Sequence, residues 1–242
     1  MPRGQPDYGG HSQKTFGGSL SDMAELAVRL DSIDEYDRRG DVVALDDFES
    51  PLLKWIGFNS PACTSVLDST VAKSGSQSVK FTTFAALARY AGLTRSFAVL
   101  GTARIGMEFS VCDVSAGMDI IFRLRYWDGV AGWEARIWYD NSTNSFYVED
   151  TVALNWVLIA TLGAMRLGEQ LFYPIKIVVD FTTHTYERFL YENTEYDLST
   201  RIIPALGGVG GEHLVASIQF PNDAGAVGTA WADDFILTQN EP

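Results

Sequence analysis

Arg123, Arg125, Trp127, Arg136 and Trp138 occupy alternate positions in two successive stretches, 118–127 and 133–140. Alternate side chains of an extended backbone share a face, so these five would line one surface. Exposed aromatic rings stack on the apolar C–H faces of sugars, and arginine donates to hydroxyls. The same residue types are enriched at protein interfaces. A third arrangement pairs the arginines with Glu134 across strands and covers the tryptophans with loops. A second group is acidic: Asp47 and Glu49 lie where the strand pattern begins, Asp233 and Asp234 where it ends. Nucleophilic and redox chemistry is poorly served, because Gly-x-Ser-x-Gly, His-x-x-x-His and Cys-x-x-Cys are all missing. Of the histidines, His11 falls in a glycine-rich arm and His184 in a turn, leaving His213 alone. The sequence reads as a non-enzymatic protein.

The elements that must position these residues follow from periodicity. From Val42 onward apolar residues recur every second position, in short runs separated by turn signals such as Lys73-Ser74-Gly75-Ser76, Asp128-Gly129 and Thr182-Thr183-His184. The expected strands are 43–49, 53–58, 63–68, 78–83, 93–99, 103–113, 118–127, 133–140, 145–150, 156–162, 174–181, 185–191, 213–220 and 229–238. Residues 84–92 fit either a helical turn or a strand edge. Within 118–127, Ile120, Phe122, Leu124 and Tyr126 share one face; in 174–181, Ile175, Ile177, Val179 and Phe181 point inward, Lys176 and Asp180 outward. Many short strands with almost no helix indicate an all-β antiparallel sandwich or barrel.

The first 19 residues differ, with five glycines, two prolines and no periodicity. They read as an extended arm that could span ~60 Å. A short helix follows over 22–30: Asp22 and Glu25 resemble a capping box, and Met23, Leu26, Ala27 and Leu30 form one narrow stripe. So short a helix needs a surface to pack on. Two domains result, an arm with its helix over 1–42 and a sandwich over 43–242. Pro2, Tyr8, Phe16, Met23, Leu26 and Leu30 are the candidate interface residues of an assembly segment gripping neighbouring copies.

Among the 242 residues, 18 basic side chains against 31 acidic ones leave a net charge of −13. That balance argues against nucleic acid, whose binding requires basic residues to displace counterions. No apolar run reaches the ~18–20 residues of a membrane span, and the opening MPRGQPDYGG has no apolar stretch like that of a secretory signal. Two cysteines, Cys63 and Cys112, are too few for a disulfide scaffold and read as buried free thiols.

Leu45-Asp46-Asp47-Phe48-Glu49-Ser50, Trp55 and Lys73-Ser74-Gly75-Ser76-Gln77-Ser78-Val79-Lys80 resemble the opening strands of jelly-roll carbohydrate-binding modules, and Trp231-Ala232-Asp233-Asp234-Phe235-Ile236-Leu237 resembles their last strand. The middle, from Lys176-Ile177-Val178-Val179-Asp180-Phe181 to Tyr196-Asp197-Leu198, is similar to concanavalin-A-like lectin and glucanase sandwiches. The resemblance covers about 43–240 and implies a two-sheet jelly roll with an extended arm and one N-terminal helix. It implies that the first and last strands are neighbours, which brings Asp47 and Glu49 towards Asp234. Such modules often hold a structural Ca²⁺ at positions matched by Glu49 and Asp234; solvated strand-end acids are the alternative. The Glu-x-Asp-x-x-Glu strand motif of laminarinase-like enzymes is missing; Glu192, Glu195 and Asp197 come nearest, with different spacing. A free-standing jelly roll with an arm also resembles bacteriophage virion proteins. The leading expectation is therefore a homo-oligomeric capsid or decoration component of a virion. The alternative is an extracellular, lectin-like carbohydrate-binding module that uses Arg123, Arg125, Trp127, Arg136 and Trp138.

Overall fold

The computed structural model describes residues 39–242 apart from 51–53, 99–100, 103, 113–114, 116, 152–154, 163–169, 193, 208–209 and 223–224. The arm, the helix over 22–30 and the interface residues Pro2, Tyr8, Phe16, Met23, Leu26 and Leu30 lie outside the described residues. Among the described residues there is no helix, and hence none long and apolar enough to cross a membrane.

The strands in chain order are β1 (Asp41–Asp46), β2 (Ile56–Gly57), β3 (Thr64–Asp68), β4 (Ser78–Thr83), β5 (Arg89–Phe97), β6 (Arg104–Cys112), β7 (Ile120–Trp127) and β8 (Gly132–Asp140). Then follow β9 (Ser145–Asp150), β10 (Asn155–Thr161), β11 (Phe172–Asp180), β12 (Thr185–Tyr191), β13 (Thr194–Asp197), β14 (Ala205–Leu206), β15 (His213–Asn222) and β16 (Gly228–Gln239). They form two antiparallel sheets. One runs β13-β12-β11-β6-β16-β4-β3, with β1 alongside the second half of β16; the other runs β10-β9-β8-β7-β15-β5-β2, with β14 alongside the start of β8. The first and last strands are neighbours, as the jelly-roll resemblance implies: Asp46 lies across from Phe235.

Period-two alternation explains the sandwich. Phe122 and Leu124 of β7, Ala135, Ile137 and Tyr139 of β8, and Met107, Phe109 and Val111 of β6 are buried between the sheets. Removing such side chains from water stabilises the fold by roughly 1.5–3 kcal/mol each for the larger ones. Trp55 closes one end of this core, edge-on to Phe235 at 4.7 Å, and Phe235 meets Phe109 at 4.8 Å. Cys63 and Cys112 are both buried.

Several boundaries differ from the pattern-based reading. The first strand ends at Asp46 because the chain turns there: the Asp46 carboxylate accepts the Phe48 N–H at 3.2 Å and pairs with Arg95 at 3.1 Å, while Phe48 takes a positive φ of 52°. Residues 84–88 form a turn that ends at Ala88 with φ 56°, and β5 then starts at Arg89. Strands β13 and β14 were not expected; Thr-Glu-Tyr-Asp carries no apolar alternation, and two-residue β14 is too short to show any.

The outward placement of Lys176 and Asp180 is corrected in part. They do lie opposite the core face, but both are buried. The Lys176 ammonium is 2.7 Å from Glu241, whose carboxylate also pairs with Arg188. Asp180 accepts from Arg104 at 3.1 Å and from the Thr182 amide at 2.7 Å. The outer side of this sheet is therefore organised by charge pairs.

Candidate functional site

The antiparallel register of β7, β8, β9, β10 and β15 assembles one continuous outer face on the second sheet. Arg123 lies across from Arg136, Arg125 across from Glu134, and Trp127 across from Gly132. On the next strand Trp138 faces Tyr147, and on the outermost Trp156 faces Glu149 and Leu158 faces Tyr147. On the other side, β15 places His213 opposite Trp127, Ser217 opposite Arg123 and Gln219 opposite Ile121. All five residues selected from sequence thus fall on one surface, and Tyr147, Trp156, His213, Ser217 and Gln219 join them.

Aromatic rings stand at both ends. Trp127 stacks on His213 with ring centroids 4.4 Å apart and planes 8° from parallel. At the other end Trp138 stacks on Tyr147 at 5.1 Å and leans on Trp156 at 5.4 Å. Its indole N–H donates to buried Asp119 at 2.9 Å, which fixes the ring while its face stays partly open. Trp127 and Ile121, the residue facing Trp138, are six positions apart in β7, about 20 Å along a strand.

Between the rings lies a charged middle. Glu134, largely buried, is shared by Arg125 and Arg136, the latter at 3.1 Å, and Arg136 also forks onto Glu149 and lies over the Trp156 ring at 5.5 Å. The cross-strand pairing foreseen for Glu134 therefore exists for Arg125, whereas the Arg136 contact is made within β8. Burial pulls the Arg136 guanidinium down, but the hydrogen bond and charge of Glu149 outweigh it and leave its pKa raised. Arg123 behaves oppositely: burial lowers its pKa, Arg125 and Arg136 push the same way, and Glu134 and Glu149 offset only part of this. It remains a cation at neutral pH, as arginine does in proteins. Three guanidinium groups against two carboxylates make this strip locally positive on a chain of net charge −13.

The acidic group sits elsewhere, around the 73–77 turn. Glu49 accepts the Ser76 and Gln77 amides at 2.7 and 2.8 Å and the Ser76 hydroxyl at 2.7 Å. Asp234, displaced on a β-bulge of β16 with φ 49°, accepts the Ser74 hydroxyl at 2.9 Å and lies 3.5 Å from the Lys73 ammonium. Gly75 permits this closeness: it has φ 65°, and a Cβ there would fall on the Glu49 carboxylate. Asp47 is exposed and accepts the Glu49 amide at 3.2 Å. Among the described residues, no three Asp, Glu, His or Cys side chains are grouped for a metal ion. The oxygen donors are of the kind calcium takes, and Lys73 is the cation that meets Asp234.

Neither a family model nor a curated protein matches the sequence. Solved structures do match the fold. An endo-β-1,4-glucuronan lyase from the fungus Trichoderma reesei superposes with a TM-score of 0.54 at 12% identity, over 83% of this chain and 96% of that one. The cellulose-induced protein Cip1 gives 0.50 at 17% identity, over 81% and 96%. The carbohydrate recognition domain of Emp47p gives 0.50 at 9% identity, over 84% and 99%. At such identities the likeness establishes a jelly-roll β-sandwich of the kind found in carbohydrate-binding and lectin-like domains. It lends the virion expectation no support.

Proposed function

We propose that this domain is a lectin-like carbohydrate-binding module that takes a glycan chain along the outer face of β7, β8, β9, β10 and β15, without catalysing a reaction on it. The observation that carries the reading is the co-facial run of Trp127, Trp138, Tyr147 and Trp156 around Arg123, Arg125 and Arg136. Rings that present a face can stack on sugars, and guanidinium groups supply directional donors between them. Glu134 and Glu149 are each engaged by arginine, whereas glycoside hydrolysis needs one carboxyl group to give up a proton to the leaving oxygen. Among the neighbours of this fold, the Emp47p domain is named for carbohydrate recognition and one is named for a lyase. A glycan array probed with the whole chain tests the reading. Wild type is expected to bind at least one glycan class and Trp138→Ala to lose at least tenfold in affinity; silence across the array rejects it.

A structural Ca²⁺ held by Asp47, Glu49 and Asp234 is a separate part of the proposal, resting on their oxygen chemistry and on the contacts of Glu49 and Asp234 with the 73–77 turn. Such an ion would take over the neutralising role that Lys73 has beside Asp234.

A further inference from the structure

We propose that the glycan held on this face is acidic, and that Arg123 together with Gln219 forms the subsite that reads a sugar carboxylate and an adjacent hydroxyl. The inference rests on the carbohydrate reading above and adds a substrate class to it.

The two side chains differ from everything else on the face. Arg125 and Arg136 have Glu134 and Glu149 as counter-charges. Arg123 has arginine across from it on β8 and serine across from it on β15. Its Nε is buried and has no hydrogen-bond partner among the described residues. Gln219 is 7% exposed, and its Oε1 is likewise buried without a donor. Gln219 lies two positions along β15 from Ser217, the residue facing Arg123, so the two are diagonal neighbours about 7–8 Å apart. Phe58 roofs this corner: a Cβ on Gly92, the residue facing Gln219 on β5, would come within 2.6 Å of the Phe58 ring.

The unmet groups are complementary and of opposite sense. Arg123 offers donors and positive charge, whereas the Gln219 oxygen accepts. Buried polar groups are costly to leave unmatched, and charged ones more so. A planar carboxylate suits the guanidinium fork, and a sugar hydroxyl suits the amide oxygen. A uronic acid ring carries both on one rigid frame. A sugar whose hydroxyls are all sulfated supplies acceptors only, and so would satisfy Arg123 but leave the Gln219 oxygen as it is. Burial of Arg123 works in the same direction, since a desolvated cation gains most from an anion brought into contact.

Matched probes decide the matter. Calorimetry on the whole chain would compare β-1,4-linked glucuronate oligomers with cello-oligosaccharides of equal length, which differ only in carrying CH₂OH in place of the carboxylate. A fully O-sulfated cello-oligosaccharide, with no free hydroxyl on its rings, serves as the acceptor-only anion. The expected result is at least tenfold preference for the uronate over both others. Arg123→Gln and Gln219→Leu should each remove most of that preference while leaving the melting temperature in place. Equal binding of uronate and neutral oligomers overturns the acidic-glycan inference and leaves the carbohydrate reading standing. Sulfated and uronate oligomers bound alike overturn the carboxylate-plus-hydroxyl subsite. No binding of any of the three, by a wild-type protein that melts cooperatively, overturns the inference; the array above then decides the broader reading. The wild-type comparison stands even if a variant fails to fold.

Discussion

Asp180 shows how far a single residue's environment departs from its sequence position. Alternation places it outside the core, yet it is buried, and burial acts to raise its pKa; the amides of Thr182 and Thr183 with the Arg104 guanidinium outweigh that and hold it below the ordinary value. A folded pKa below the unfolded one means the contribution is complete above the unfolded value and is lost as pH falls through the folded value. Wild type should therefore lose melting temperature more steeply than Asp180→Asn below about pH 4, read by calorimetry across an acid series; parallel slopes would show that Asp180 contributes nothing there. Legibility at this scale was uneven. Arg123, Arg125 and Trp138 stand out because charge and aromaticity alternate with an apolar face. Tyr147 and Trp156 alternate too, but only the register between strands shows that they share a surface with Trp138. Gln219 gives no signal at all: what distinguishes it is an unmatched buried oxygen.

Among the elements, the turn at 73–77 and the bulge in β16 depend on one another. The turn's amides, hydroxyls and ammonium group are held by Glu49 from the segment after β1 and by Asp233 and Asp234 from β16. If calcium binds here, millimolar CaCl₂ should raise the melting temperature relative to EDTA in wild type and not in Glu49→Gln. Equal melting temperatures remove the ion and leave Lys73 as the cation beside Asp234. The turn itself was readable from Lys-Ser-Gly-Ser, and most strands were readable from period two. The bulge was not, because Asp-Asp in a strand looks the same whether or not the register slips. Nor was β13, whose existence depends on pairing with β12 and not on its own four residues.

At the scale of the whole molecule the two outer faces are used differently. One presents rings and guanidinium groups; the other buries a knot of charge in which Glu241 ties β11 and β12 together through Lys176 and Arg188 and takes the Thr238 hydroxyl. Glu241→Ala removes a carboxylate shared by two buried cations, and losses of about 3–5 kcal/mol are typical of such a break. A lower urea midpoint with an unchanged slope is the expected result, and a shift under ~1 kcal/mol would show that the knot relaxes into solvent. The two-sheet architecture was legible from composition and periodicity. Which of its faces meets water was not, since the lysine and aspartate that suggested a wetted surface are satisfied inside the protein.

The placement of β16 also governs how the chain reaches this form. It lies between β6 on one flank and β1 with β4 on the other, and Asp41 is matched with Gln239 at nearly the full span of the body. Pairings so distant in sequence form slowly, because a very long loop must close before they reward the chain. During synthesis the first sheet stays split until β16 has been made. Until then Met107 and Phe109 border an open edge, apolar surface of the kind that favours aggregation.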